Sequence, residues 1–450
     1  MKKILSIVLV LSFFVFLFVG CGNNQEGATN DNETNEEAGK SNNVSSDEEV
    51  KEEVTIQFWY TANESDPNDP YNLWNSKNVE LFMEKNPHIK IEKVIIGGAG
   101  GENYRTKLTS EAAVGNLPDI FMTWLGTRLE PMVTMGSVLP LDDMISQDEK
   151  MSEMVDRSVL SKAIFDDKIY ALPKSSDAEG IFYNKLLFEE YNLELPKSLE
   201  ELIEVSKVFN ENGLTAISLG NSVSWVTEIP YSYILLDLDP DIYTKMKNNE
   251  ISYDDPVFTE AAKKLKMLVD EDVFGENFNG IAPAEARAEF IEGNAAMFLQ
   301  GTWNITALKE GMGKNVGFIP FPTVSENTSM VLKTSPHGYA ISKETEHLEE
   351  VMEFYKFMMS EERLLELADE FSIILPWSSI EVEPKEDNPL YNDVVDAFAD
   401  HEKSFDLIST YTQNDAIGKE ISVAIQAITS GADIEETFNK LEAYRKQNSN

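Results

Sequence analysis

From Phe290 to Trp303 the sequence reads FIEGNAAMFLQGTW. Gly293 and Asn294 both tolerate the left-handed backbone that ends a helix, so a helix is predicted to stop there. Ala295 to Leu299 is short and uniformly apolar, the pattern of a strand covered on both faces of a parallel sheet, or of a buried helical turn. Its length and the glycine on each side favour the strand. In open α/β sheets ligands sit beyond the carboxyl ends of strands, so the Gly-Thr turn that follows would deliver the Trp303 indole to a crevice.

The same theme recurs along the chain. Val54 to Tyr60, VTIQFWY, reads as a strand ending in Trp59 and Tyr60, with a ligand loop starting at Thr61. Helical spacing over Tyr71 to Lys85, stopped by Asn86 and Pro87, leads into the strand IKIEKVII, and strand, helix and strand together make the unit of a parallel sheet. Gly97, Gly98, Gly100 and Gly101 lack the Lys and Ser/Thr of a phosphate-binding loop and read as a turn. A helix from Tyr104 to Val114 precedes LPDIFMTW, a strand that ends in Trp124 with Arg128 four residues on. Asp166 and Asp167 suggest a turn between two strands. In ALPKSSDAEGIFYNKLLF, Gly180 to Tyr183 is a strand preceded by the polar run Ser175, Ser176, Asp177 and Glu179. Ser198 followed three residues later by Glu201 has the spacing of a helix-capping box. Trp225 follows another short strand and a polar loop, and Trp377 lies in ILPWSS.

Taken in order, Pro-Asp-Ile before Trp124, Pro173 followed by Tyr183-Asn184-Lys185, Pro196 to Glu201, Ala295-Ala296-Met297 before Gly301-Thr302-Trp303, and ILPWSS resemble the family 1 extracellular solute-binding proteins. These are the ligand-capturing components of ATP-driven importers, many of them for sugars. The resemblance implies an α/β, two-lobed periplasmic-binding-protein-like fold of type II, its discontinuous lobes joined by hinge crossings near Pro173, His337 and Pro376. One lobe would comprise residues 52–172 and 338–371, the other 173–337 and 372–450. The implied protein is no enzyme, uses no cofactor, acts as a monomer and hands its ligand to membrane permease subunits. Candidate ligand residues are Trp59, Tyr60, Trp124, Arg128, Asp177, Glu179, Trp225, Trp303 and Trp377.

The amino-terminal segment suggests how such a protein would be held outside the cell. Lys2 and Lys3 precede an apolar run from Ile4 to Val19, too short for a confident span but right for a secretory signal. Gly20 and Cys21 close it and resemble a lipobox, in which the cysteine becomes diacylated; Phe18 stands where the pattern prefers Leu, and Leu17 lies one place earlier. Residues 1–20 are expected to be removed. Residues 21–51, rich in Asn, Glu, Asp, Gly and Ser, cannot bury enough apolar surface to order themselves and would form a lipid-anchored, self-repelling tether to the outer face of the cytoplasmic membrane.

Composition narrows the chemistry. A chain of 450 residues with 42% hydrophobic residues can bury a large core, and a net charge of -42 would repel nucleic acid and anionic membrane surfaces. Cys21 is the one cysteine, and His88, His337, His347 and His401 are scattered, so no metal site is encoded at recognisable spacing. A pyranose suits the tryptophans, because its C–H face packs on an indole while its hydroxyls seek charged or amide partners. A non-sugar solute such as a peptide, a polyamine or another cation fits the same fold. A secreted glycoside hydrolase would need two carboxylates about 5 to 9.5 Å apart across a glycosidic bond, a role for which Asp177 and Glu179 lie too close in sequence without a special turn.

Overall fold

A computed structural model describes residues 52–62, 66–97, 101–325, 330–333, 336–399 and 403–448. Cys21, the signal segment and the tether lie outside these residues, as do Gly98 and Gly100. In chain order the first strands are β1 (Val54–Tyr60), β2 (Ile89–Ile95), β3 (Ile120–Trp124), β4 (Ile164–Phe165), β5 (Lys168–Ile169) and β6 (Leu172–Ser175). They are followed by β7 (Ala178–Asn184), β8 (Thr215–Ser218), β9 (Ala295–Gly301), β10 (Val316–Ile319), β11 (Met330–Lys333), β12 (His337–Ile341) and β13 (Lys403–Phe405).

The strands form two main sheets. The first has the order β2-β1-β3-β12-β6, with β1 parallel to both neighbours and β12 antiparallel to β3 and β6. The second has the order β13-β11-β7-β9-β8, with β10 also paired to β7. β4 and β5 make a separate hairpin whose turn residues Asp166 and Asp167 have φ of 47° and 62°, a conformation that short acidic side chains tolerate. Each main sheet carries its own core. Phe58, Trp74, Phe82, Phe121, Tyr339 and Phe354 pack in the first, and Ile181, Phe209, Ile217, Met297, Leu299 and Ile425 in the second.

Local chemistry explains the element ends nearest the cleft. The Pro283–Ile291 helix stops before Gly293, whose φ is 78°, and β9 begins two residues later with all seven of its residues buried. Its sheet is mixed and not wholly parallel, because β9 pairs parallel with β8 but antiparallel with β7. A strand covered on both faces reads the same in either setting. The Leu199–Glu211 helix opens with one half of the expected capping box: the Ser198 hydroxyl accepts from the Glu201 N–H at 3.1 Å, while the Glu201 carboxylate accepts at 2.7 Å from the N–H of Lys197, one residue before the cap.

The chain passes from the first sheet to the second between β6 and β7, and back between β11 and β12. Pro173 to Ser175 and His337 belong to the first sheet by strand pairing, whereas the expected boundaries put them in the second lobe. Trp377 and Ile380 likewise pack in the first core, while Ile374 and Val382 pack with the second sheet. The Ser176 N–H donates to the Ile374 carbonyl at 2.8 Å, so two of the crossing segments are bonded to each other.

Candidate functional site

Where β6 ends and β7 begins, Asp177 ties the two sheets together. Its carboxylate accepts from the Tyr71 hydroxyl at 2.6 Å and from the Thr302 hydroxyl at 3.0 Å. Tyr71 lies in the first turn of the Pro70–Lys85 helix beside the first sheet, and Thr302 follows β9 of the second. His337 Nε2 lies 3.2 Å from the Tyr71 oxygen and 3.5 Å from the Asp177 carboxylate. Since Tyr71 spends its hydrogen on Asp177, the tautomer protonated at Nε2 fits this contact. Asp177 is 1% exposed, which makes it a fixed linchpin and not a freely offered carboxylate.

Strand register places the first aromatic face. His337 pairs with Trp124 across β12 and β3, and the two rings stack with centroids 6.5 Å apart and planes at 21°. The Arg128 guanidinium lies 5.2 Å from the Trp124 centroid. Gly101, with φ of 72°, gives the indole room, because a Cβ there would lie 2.5 Å from the ring. Lys174, also 1% exposed, sits 3.6 Å from the centre of the Tyr71 ring. Burial drives its ammonium down to about 7, against the pull of Asp177 and Asp69, and burial followed by Lys174 lowers His337 to about 4. His337 is therefore neutral at physiological pH.

The second sheet supplies two more indoles. Trp225, in the loop after β8, and Trp303, in the turn after β9, are half-buried with ring centroids 5.9 Å apart. The Asn221 side chain accepts from the Thr227 N–H at 3.2 Å and folds the loop that carries Trp225. Glu179, on the adjoining strand β7, is 1% exposed, and neither carboxyl oxygen has a hydrogen-bond partner.

Ion pairs cross between the two sides. Lys162 meets Asp406 at 2.8 Å, Arg287 meets Asp66 at 2.6 Å, and Arg105 and Arg128 share Asp415 at 3.3 and 3.8 Å. Burial, then the neighbouring Arg128, brings Arg105 down to about 10.

Of the residues singled out by sequence, Trp124, Arg128, Asp177, Glu179, Trp225 and Trp303 thus gather around the crossings. Trp59 and Tyr60 do not, and Trp377, although it sits in a crossing segment, is buried there. They are 8%, 0% and 2% exposed and pack in the first core. Trp59 and Tyr60 end β1, but Asn72, Tyr104 and Lys107 of the neighbouring helices contact them, so ending a strand did not bring them to a crevice. Tyr71, Lys174, Thr302 and His337 escaped the sequence reading. The signal for His337 was its place at the start of a strand, and for Thr302 its adjacency to Trp303. Among the described residues no cluster of His, Cys, Asp or Glu could hold a metal ion.

Residues 65–363 match the family described as bacterial extracellular solute-binding protein. The chain belongs to this family. An uncharacterized ABC transporter extracellular-binding protein of Pyrococcus horikoshii is 29% identical over 280 residues, 60% of this chain and 61% of that one. The chain therefore spans somewhat under two thirds of that relative's length. A multiple sugar-binding protein of Streptococcus mutans is 22% identical over 325 residues, covering 68% of this chain and 71% of its own. Among solved structures, a chitin oligosaccharide binding protein superimposes with a TM-score of 0.78 at 23% identity, over 87% of this chain and 98% of that one. RafE in complex with raffinose gives a TM-score of 0.71 at 20% identity, over 88% and 100%. The fold is accordingly the two-lobed type II arrangement of this family of extracellular binding proteins. No described helix of this solute-binding protein is long and apolar enough to cross a membrane.

Proposed function

We propose that this solute-binding protein captures a mono- or oligosaccharide between its two lobes and delivers it to the permease of an ABC importer. The observation that carries the reading is the set of three half-buried indoles at the lobe crossings, with Trp124 on the first sheet and Trp225 with Trp303 on the second. They are joined through Thr302, Asp177 and His337 in one chain of contacts. Indoles offer faces for the C–H side of a pyranose, while Arg128 and Glu179 offer polar groups for its rim. Relatives whose names specify multiple sugars or galactooligosaccharides support the same class of ligand.

A site assembled from two lobes is complete only when they meet, so binding would be coupled to rotation about the crossings. Cys21 would carry the lipid that keeps the mature protein at the outer face of the membrane, and Cys21→Ala should release it into the medium. Thermal-shift screening against neutral mono- and oligosaccharides, followed by calorimetry, tests the central reading. Stabilisation by at least one sugar, with saturable binding, is expected. Absence of any shift across the panel would refute it.

A further inference from the structure

Glu179 stands directly opposite Gly301 in the antiparallel pairing of β7 with β9, and residues so opposed address the same face of a sheet. A Cβ at Gly301 would lie 1.9 Å from Cζ3 of the Trp303 ring. The missing side chain leaves room for that indole over the sheet, on the face that Glu179 addresses. Trp225 flanks Trp303, so Glu179 addresses the same face of the sheet as a pair of indoles.

The charged groups around it are Asp406, Glu228 and Asp177, all acidic, and Arg128 from the other side of the cleft. Each of the three neighbouring carboxylates has partners of its own. Asp406 holds Lys162, Glu228 accepts from the Ser409 N–H at 3.2 Å and from the Ser422 hydroxyl, and Asp177 holds Tyr71 and Thr302. The Glu179 carboxyl has none, and the Tyr233 hydroxyl donates only to its backbone carbonyl, at 2.8 Å. A buried polar group left unpaired destabilises the empty protein and calls for a ligand that completes it.

We propose that Glu179 is the specificity-determining residue of the Trp225–Trp303 subsite, selecting an uncharged, hydroxyl-bearing ring over an anionic one. This rests on the carbohydrate reading above. Burial first, and then the charges of Asp406, Glu228 and Asp177, push the Glu179 carboxyl well above its ordinary range. In its neutral form it offers one O–H donor and one carbonyl acceptor, the complement of a sugar hydroxyl, which both accepts and donates. A uronate in the same place would bring a further negative charge into a ring of three acids.

Two measurements on the full-length protein test this. The first needs no ligand: melting temperature against pH for wild type, Glu179→Gln and Glu179→Met. A carboxyl whose folded-state value is raised keeps its contribution below the unfolded value of 4.5 and loses it as pH climbs. The Met variant should therefore melt higher than wild type at pH 8, with the gap closing toward pH 4. The second is calorimetry with raffinose, xylotriose, chitotriose and trigalacturonate. The neutral sugar that binds wild type best should lose about 10-fold or more in Glu179→Met and about 3-fold or less in Glu179→Gln, whose amide also donates and accepts. Trigalacturonate should bind more weakly than the neutral sugars. Unchanged affinity in Glu179→Met, or a wild-type preference for trigalacturonate, would overturn the assignment. If wild type bound none of the four, the carbohydrate reading would fall, and a Met variant no more stable than wild type at pH 8 would separately overturn the unpaired, ligand-facing placement of Glu179.

Discussion

Where the ends of the first sheet face those of the second, the first side brings Arg105, Arg128, Lys162 and one indole, Trp124. The second brings Asp406, Asp415, Glu179, Glu228 and two indoles, Trp225 and Trp303. In a chain of net charge -42, three cations gathered on one side of a cleft are out of keeping with the average surface. They meet the acids of the opposite side in pairs, so attraction between the lobes exists before any solute arrives. The indoles and Glu179 take no part in those pairs. The side chains that draw the lobes together and those proposed to meet the solute overlap at Arg128, which pairs with Asp415 and lies over Trp124, and are otherwise separate, so the two sets should respond to different perturbations.

The largest effect is expected from an indole that belongs to neither set. Trp377 is 2% exposed in the first core, so Trp377→Ala should remove about 3 to 5 kcal/mol of stability by leaving a cavity. Chemical denaturation would measure this. A loss under about 1 kcal/mol would mean that the ring contributes little packing and would return it to the cleft candidates.

The two sides should also fail at opposite ends of the pH scale. His337, on the first side, is lowered by burial and then by Lys174 from 6.5 to about 4. Its contribution is present above 6.5 and is lost as pH falls through 4, a shift corresponding to about 3 kcal/mol. Glu228, on the second side, is raised by burial from 4.5 to about 7. Its contribution is intact below 4.5 and is lost as pH rises through 7, again about 3 kcal/mol. Denaturation at a series of pH values should show His337→Gln flattening the acid limb alone and Glu228→Gln the alkaline limb alone. Both limbs changing in either variant would show that the sides titrate as one network.

A smaller effect should appear in binding without loss of folding. Trp303→Ala, at a half-buried ring, should weaken sugar affinity by about 2 kcal/mol, because an anchoring indole also keeps water from neighbouring hydrogen bonds. Its melting temperature should stay close to wild type. A large fall in melting temperature with affinity preserved would move Trp303 into the core beside Trp377.

Much of this arrangement was legible locally. The Gly293 stop, the Asp166–Asp167 turn and the Ser198–Glu201 cap each depend on a few adjacent residues, so sequence carries them almost whole. The half-buried positions of Trp124 and Trp303, at and just beyond the ends of β3 and β9, were legible because strand ends in α/β sheets have a fixed relation to crevices. The same rule misplaced Trp59 and Tyr60. They too end a strand, but residues of the flanking helices lie against them: the Tyr60 hydroxyl donates to Asn72, the Tyr104 hydroxyl to the Trp59 carbonyl, and the Lys107 ammonium lies 4.9 Å from the centre of the Trp59 ring. Tyr71, Lys174 and His337 acquire their roles through contacts between distant segments, set by the pairing of β12 with β3 and β6. No local spacing encodes that register.

The smallest effect tests the attraction between the sides directly. Asp415, at the start of the Asp415–Thr429 helix, is 44% exposed and receives Arg105 at 3.3 Å and Arg128 at 3.8 Å. Partly exposed pairs of this kind contribute about 0.2 to 1 kcal/mol and are screened by salt. Asp415→Asn removes the charge and keeps the shape, so stability should change little while the balance between open and closed forms shifts toward open. Small-angle scattering of the sugar-free protein reads this as a larger radius of gyration for the variant at low ionic strength. At about 1 M salt the Debye length falls to roughly 3 Å and wild type and variant should converge. A difference that persisted unchanged at high salt would assign the closure to packing across the crossings and not to charge, because only the electrostatic part can be screened away.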